Sequence, residues 1–272
     1  MQTMTSATAP IPVTTPARRR RRWPWIVLAA VVVLLIAAVV VAEAVARAIV
    51  PDRVRETVTT ELGLPEDHPM DVAVGGGLVL PQLIGGRLDD LRISSQDVPL
   101  PAGSGVSGLT VDADVHLTGV PLRDGVSGGP GTAEIRIEAD DLESLLATAV
   151  LPSALADATI ELAAPDVVLS SRISLLGASI PIELSLAPGA ADGDLTLEPT
   201  GAAVGGADLS LDQLAAMAGI EVGPVPVCLA DRLPAGLALT DVAVEDGALV
   251  ARLDIAAEML TDDALLDPGT CG

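Results

Sequence analysis

The arrangement of apolar and polar positions changes after residue 62. Residues 23–42 form an apolar run of 20 residues without a charge, and apolar residues then recur at helical spacing as far as Leu62, with an interruption expected at Pro51. Beyond this point the period becomes two, as in residues 110–117, where aliphatic side chains alternate with polar ones. The pattern predicts an N-terminal helix followed by antiparallel strands with one apolar and one polar face.

Seven segments carry the two-residue alternation and are predicted strands: 89–94, 110–117, 133–138, 179–186, 195–198, 237–244 and 248–255. Asp246-Gly247 between the last two is typical of a hairpin turn. Helical spacing predicts two further helices, 139–151 and 210–218, the second capped by Asp208 or Ser210. The predicted class is α+β: one N-terminal transmembrane helix, then a large curved, mostly antiparallel β-sheet wrapped on helices, with an elongated apolar groove.

The residues before the apolar run suggest how it is oriented. Five consecutive arginines, Arg18–Arg22, precede it, and basic residues stay on the cytoplasmic side of a membrane helix. We therefore expect a disordered basic cytoplasmic tail (1–22), a transmembrane helix (23–42) and an extracytoplasmic domain (43–272). The alternative is a cleaved signal peptide, since Ala42-Glu43-Ala44 fits a signal-peptidase site, although the run is longer than a usual signal core.

Composition removes several classes of function. Every basic residue is arginine, which excludes a phosphate-binding loop lysine and lysine-based covalent catalysis. From Glu43 onward 10 arginines face 37 acidic residues, and such a domain should repel nucleic acid. We predict no cofactor. The two cysteines, Cys228 and Cys271, both lie in the predicted extracytoplasmic part, where an oxidising compartment favours a disulfide between them.

Signals of catalysis are weak. Residues 125–129 match G-x-S-x-G around Ser127, but a strand pattern follows instead of the helix that a hydrolase needs. Asp112, Asp114 and His116 share one side of a predicted strand and have ligand-type side chains, yet the same polar alternation recurs in strands without histidine. We predict no catalytic residue and no metal site, and interpret the first motif as a glycine-rich hairpin loop and the second as the solvent face of an amphipathic strand.

Three segments resemble those of a known family. Leu78–Leu100 (LVLPQLIGGRLDDLRISSQDVPL) is similar to the signature region of the LmeA-family phospholipid-binding proteins of actinobacterial cell envelopes. There, a strand leads to a short apolar segment, a G-G-R-L turn and an alternating strand. Val167–Pro199 and Cys228–Leu237 also look similar, and the resemblance covers roughly residues 45–260. It implies a tubular lipid-binding fold like that of the bactericidal/permeability-increasing proteins.

The resemblance further implies binding of anionic phospholipid such as phosphatidylinositol and a supporting role in envelope glycan or lipid synthesis. We therefore expect a non-enzymatic lipid-binding or lipid-transfer protein tethered to the membrane. Arg87 and Arg92 flank the signature and are the expected headgroup contacts. The expected chain-lining residues are Leu80, Leu83, Ile84, Leu91, Ile93, Ile180, Ile182 and Leu184. The alternatives are a scaffolding ectodomain that binds another envelope protein, and an envelope hydrolase or transferase.

Overall fold

A computed structural model of the protein describes residues 23–65, 67–99, 110–142, 158–175, 178–218, 223–231 and 233–270. The predicted tail 1–22 and Cys271 lie outside these ranges, as does most of the predicted helix 139–151, of which residues 139–142 are helical. The chain divides into two compact units, Met1–Ala42 and Glu43–Gly272.

The first helix, α1 (Trp23–Leu62), contains Pro51 without ending there, so the interruption expected at that residue was wrong. Among the described residues it is the one helix with the length and composition to cross a membrane, over Ala30–Thr60. The same properties suit a signal sequence near an N-terminus. Leu34, within the apolar run, is 69% exposed.

Most of the regular structure after α1 consists of strands. Their bounds in chain order are β1 (Met70–Gly75), β2 (Arg87–Pro99), β3 (Thr110–Pro121), β4 (Gly131–Glu138), β5 (Thr159–Ala163), β6 (Asp166–Leu175), β7 (Ala178–Ala191), β8 (Asp194–Val204), β9 (Ala207–Leu209), β10 (Val225–Val227), β11 (Leu237–Glu245) and β12 (Ala248–Ile255). They form two antiparallel sheets. Sheet A has the order β1-β2-β3-β4-β12-β11, and sheet B the order β10-β8-β7-β6-β5, with β9 paired to β8. The α+β class is confirmed, with the strands shared between two sheets rather than one.

Besides the helical residues 139–142, the described ranges contain two short helices and the 3-10 turns Ala257–Leu260 and Asp263–Leu265. α2 (Val79–Gly85) connects β1 to β2, and α3 (Leu211–Ala218) confirms the helix predicted for 210–218. Ser210 caps α3: Gln213 N donates to Ser210 Oγ at 3.2 Å, and Ser210 N donates to Gln213 Oε1 at 3.0 Å. This reciprocal pair satisfies two backbone donors that the first turn leaves free.

Two separate clusters of buried side chains hold sheet A. The first lies beneath the last turns of α1, whose Val54 and Val58 pack against it; its buried members are Leu64, Met70, Val72, Leu91, Leu117 and Ile255. The second contains Leu239, Val242 and Leu253 and lies where sheet A meets sheet B. The core is thus built from aliphatic residues and methionine, as expected for a domain without Phe, Tyr or Trp.

Candidate functional site

The expected lining residues of sheet A lie on its apolar face. Leu91 is 4% exposed and belongs to the cluster under α1, and Ile93 is partly buried against the same cluster. Arg92 lies between them in sequence, so strand alternation directs it to the opposite face. There it lines a depression of about 500 Å³ with Ser94 and His116.

The expected lining residues of sheet B share one face of β7. Ile180, Ile182 and Leu184 are separated by two positions each, and all three are only partly buried. Their cross-strand neighbours on β6 include Leu169, which pairs with Leu184. Among the described hydrophobic side chains of sheet B, only Leu186 is buried, at 8% exposure. The described protein therefore leaves this row of aliphatic side chains incompletely covered.

The apolar faces of the two sheets are continuous. Ala190 of β7 and Leu195 of β8 pair with each other and pack against the second buried cluster, which belongs to sheet A. Gly193, in the turn between them, forms a bridge with Leu239 of β11. We call the combined surface the aliphatic face: the apolar side of β7 and its neighbours in sheet B, joined at β11 to the apolar side of sheet A.

The remaining three expected lining residues lie on α2, at the end of sheet A where β1 stops and β2 starts. Leu80 and Leu83 are partly buried, whereas Ile84 is 72% exposed. The inward side of α2 is formed by Val79 and Gln82, both buried. Gln82 also connects α2 to the end of β1, because its side-chain amide donates a hydrogen bond to Gly75 O at 3.0 Å.

A carboxylate that sequence analysis did not single out holds α2 in place. Glu43 Oε1 accepts a hydrogen bond from Val79 N at 2.7 Å, and Glu43 Oε2 accepts one from Leu80 N at 3.0 Å. Arg47 Nε donates to Glu43 Oε1 at 2.8 Å. The hydrogen bond from Leu80, the bond from Arg47 and that from Val79 together lower the pKa of Glu43 from 4.5 to about 2. The available sequence signal was an acidic residue directly after a long apolar run.

The two expected headgroup arginines differ in their surroundings. Arg92 Nη2 lies 3.5 Å from Asp90 Oδ2 and is therefore paired with a carboxylate. Arg87 lies across Gly119, where a Cβ atom would stand 2.0 Å from Arg87 Nη2, and Gly119 also has a φ of +60°. Glycine at 119 thus permits both the left-handed backbone conformation within β3 and the close passage of this side chain. Within the described residues Arg87 has no ion-pair partner.

The acidic and histidine positions of β3 lie on one face, and each is held by a different partner. Asp112 Oδ1 accepts from Asp97 N at 3.1 Å, Asp114 is hydrogen-bonded by Ser94, and His116 Nε2 lies 3.0 Å from Asp90 Oδ2. No group of three metal-ligating side chains occurs among the described residues. Ser127 lies in the loop that leads to strand β4, without the helix that a hydrolase nucleophile requires.

The neighbourhood of Cys228 is partly defined. The segment after β12 runs beside residues 233–236: Ala235 N donates to Asp267 O and Gly269 N donates to Leu233 O. A Cβ on Gly269 would lie 2.9 Å from Ala230 O, so Gly269 is close to the residues that follow Cys228. Because Cys271 lies outside the described residues, the disulfide stays a prediction.

These features define a class of protein: a β-rich protein with a row of only partly buried aliphatic side chains on one of its two sheets. The model of the LmeA-like phospholipid-binding family matches residues 41–254, which is most of the chain. The protein belongs to this family, as its sequence resemblance predicted. No match was found among the curated proteins or the solved structures.

Proposed function

We propose that this protein is a membrane-tethered, extracytoplasmic phospholipid-binding protein whose aliphatic face holds lipid acyl chains, without catalysis. The observation that carries the proposal is the incomplete cover over Ile180, Ile182 and Leu184. Partly exposed aliphatic rows on a soluble domain mark an interaction surface, since water would otherwise contact them. Membership of a phospholipid-binding family supports a lipid as the occupant.

The dimensions suit an acyl chain. From Ile180 to Leu186 the strand advances six residues, about 20 Å at the usual rise per residue. One leaflet of a bilayer core is about 15 Å deep, so one acyl chain fits along this row. Membership of a phospholipid-binding family favours lipid binding over the scaffolding alternative.

The test is native mass spectrometry of the full chain released from its membrane, with the lipid identified after extraction. Ile182→Asp places a charge on the aliphatic face and is expected to abolish co-purified phospholipid. Ser179→Asp introduces the same group on the same strand but on the opposite, exposed side, and serves as the matched control. Equal lipid content in wild type and Ile182→Asp would refute lipid binding on this face.

The contacts of Glu43 support the retention of α1 as a membrane anchor. A signal peptidase acting at Ala42-Glu43-Ala44 would cut after Ala44 and remove the carboxylate that binds Val79 N and Leu80 N. It would also separate Arg47 from its ion-pair partner. We infer that α1 is retained as an anchor with the basic tail in the cytoplasm. The intact mass of the mature protein tests this inference: a chain starting at Val45 contradicts it.

Lipid specificity and biological role form the finer part of the proposal. Arg87, exposed and without a described carboxylate partner, is the stronger of the two headgroup candidates, because Arg92 is paired and lies on the polar face. An anionic lipid such as phosphatidylinositol would supply the missing acceptor. Arg87→Gln should therefore reduce the preference for phosphatidylinositol over phosphatidylcholine in a competitive binding assay. Lipid transfer in support of envelope glycan or lipid synthesis completes the proposed role.

A further inference from the structure

A second apolar surface lies outside the aliphatic face. Leu78 is 55% exposed, Ile84 72% and Leu122 41%. Leu122 N donates to Gly86 O at 2.9 Å, and Arg123 Nη2 donates to Leu83 O at 3.2 Å, so the loop after β3 lies directly against α2. We call this surface the α2 edge. It consists of Leu78, Ile84 and Leu122 together with Arg87 and Arg123.

The charge pattern of the α2 edge is unlike that of the rest of the domain. No charged residue occurs from Val72 to Gly86, although the domain as a whole is strongly acidic. Arg87 and Arg123 have no ion-pair partner among the described residues. Six of the other described arginines pair with a described carboxylate, namely Arg47, Arg53, Arg55, Arg92, Arg136 and Arg252, whereas Arg172 on strand β6 of sheet B does not. Two unpaired guanidinium groups beside exposed aliphatic side chains suit a surface that is both anionic and apolar.

The position of the α2 edge identifies that surface. Glu43 is the first residue after the apolar run, and its carboxylate is hydrogen-bonded to the first turn of α2. The α2 edge is therefore anchored to the point at which the chain leaves the proposed membrane segment. Arg47 Nη2 adds a hydrogen bond of 2.6 Å to Gly77 O, next to Leu78.

We propose that the α2 edge docks on the bilayer surface, with Leu78, Ile84 and Leu122 among the headgroups and acyl-chain ends, and with Arg87 and Arg123 on lipid phosphates. The proposal rests on the membrane tether of the proposed function and gives Ile84 a contact with the bilayer. The docked edge also brings the end of sheet A, and with it Leu91 of the apolar face, next to the lipid that would be taken up.

A single tryptophan reports the docking, because the domain contains no aromatic residue. The full chain carries Trp23→Phe and Trp25→Phe, plus Leu122→Trp at the α2 edge. The matched control is Glu138→Trp at the far end of strand β4, about 23 Å along the strand from Gly131, which pairs with Leu117 on the side of the α2 edge. Both proteins are reconstituted in vesicles of phosphatidylcholine and phosphatidylglycerol, with or without bromine on the acyl chains.

Brominated lipid is expected to quench the Leu122→Trp reporter and leave Glu138→Trp unchanged. Equal, weak quenching of both, with free access of aqueous iodide to the Leu122→Trp reporter, overturns the docking. Quenching that persists in a detergent micelle where the protein carries only its bound brominated lipid also overturns it, because the signal then comes from the bound molecule.

The lipid content of the same preparations separates the two proposals. Bound phospholipid with an unquenched Leu122→Trp reporter refutes the docking alone. A quenched reporter on a protein without bound phospholipid supports the docking and refutes the lipid-binding function. Arg123→Gln in the quenched protein should reduce quenching in vesicles that contain phosphatidylglycerol and have little effect in pure phosphatidylcholine, since its expected partner is the anionic phosphate.

Discussion

Truncation of two leucines should separate the packed core from the proposed lipid surface. Leu253 is 2% exposed within the second buried cluster, where its cross-strand neighbours are Leu239 and Ala133. Leu253→Ala removes about three methylene-sized groups, worth roughly 0.8 kcal/mol each when buried, and leaves a cavity. We expect a loss of about 3 to 4 kcal/mol in the free energy of unfolding.

Leu184 is also a leucine in a strand, but it is only partly buried and has incomplete protein cover. Leu184→Ala leaves no enclosed cavity in the lipid-free protein. Because the side chain is only partly buried, we expect the free energy of unfolding to fall by only about 1 kcal/mol. The same change should lower bound phospholipid strongly, because the removed methyl groups are those that are proposed to contact the acyl chain. The two variants therefore have opposite profiles of stability and lipid content.

The assay is urea denaturation of the full chain in mild detergent, followed by far-ultraviolet circular dichroism, because residues 43–272 lack tryptophan and tyrosine fluorescence. Lipid content is measured on the same samples before unfolding. At about 2 to 4 °C per kcal/mol for a domain of this size, Leu253→Ala should also lower the melting temperature by about 6 to 16 °C. An equally large loss of stability in lipid-free Leu184→Ala would show that Leu184 belongs to a filled core, and the lipid surface would have to be abandoned.

Three further outcomes follow from the structure. Because the pKa of Glu43 is lowered to about 2, its carboxylate stabilises the fold above pH 4.5, and this stabilisation is lost as the pH falls from 4.5 to 2. In Glu43→Gln, the urea concentration at the unfolding midpoint should therefore depend less on pH over this range. Gly119→Ala should lower the free energy of unfolding by about 1 to 2 kcal/mol because of its left-handed backbone conformation, and by more because the new Cβ clashes with Arg87. Adding Arg87→Ala should remove the clash but not the backbone cost, which a double-mutant cycle measured by urea denaturation would show. Thiol titration of the unfolded, unreduced protein should find no free thiol from Cys228 or Cys271; a count of two would contradict the disulfide.

The sequence predicted the strands whose polar and apolar residues alternate without interruption. β3, β4 and the hairpin of β11 and β12 follow directly from such alternation, and Asp246 and Gly247 have the positive φ values that their turn requires. The alternation did not predict β1, because its six residues lie between Pro69 and a run of glycines, which together suggest a loop. α2 escaped prediction as a helix because it is only seven residues long and contains Pro81.

The division into two sheets could not be predicted from the alternation. A two-residue period specifies which face of a strand is apolar, but carries no information on which edges meet in space. Leu239 of sheet A and Leu195 of sheet B lie in one cluster although 44 residues separate them in the chain. The opposite orientation of Arg92 and Ile93, in contrast, follows from alternation alone and was available from the sequence.

The role of Glu43 could not be predicted from the sequence. Its partners Val79 and Leu80 are 36 and 37 residues away, and both contribute backbone donors, which leave no trace in side-chain patterns. Ion pairs one helical turn apart, such as Glu43 with Arg47, can be recognised from sequence spacing, but this spacing is compatible with an ordinary solvent-facing pair.

The buried side chains of sheet A form two small clusters, and this has a consequence for the supply of lipid to the protein. A domain without aromatic side chains lacks the residues that usually fill wide interiors, and the two clusters leave the sheet B part of the aliphatic face only partly covered. In the proposed function, an acyl chain in that place serves as an exchangeable part of the interior. The lipid-free form should then be the most prone to proteolysis and aggregation, and the abundance of the protein should follow the supply of the lipid that it is proposed to bind.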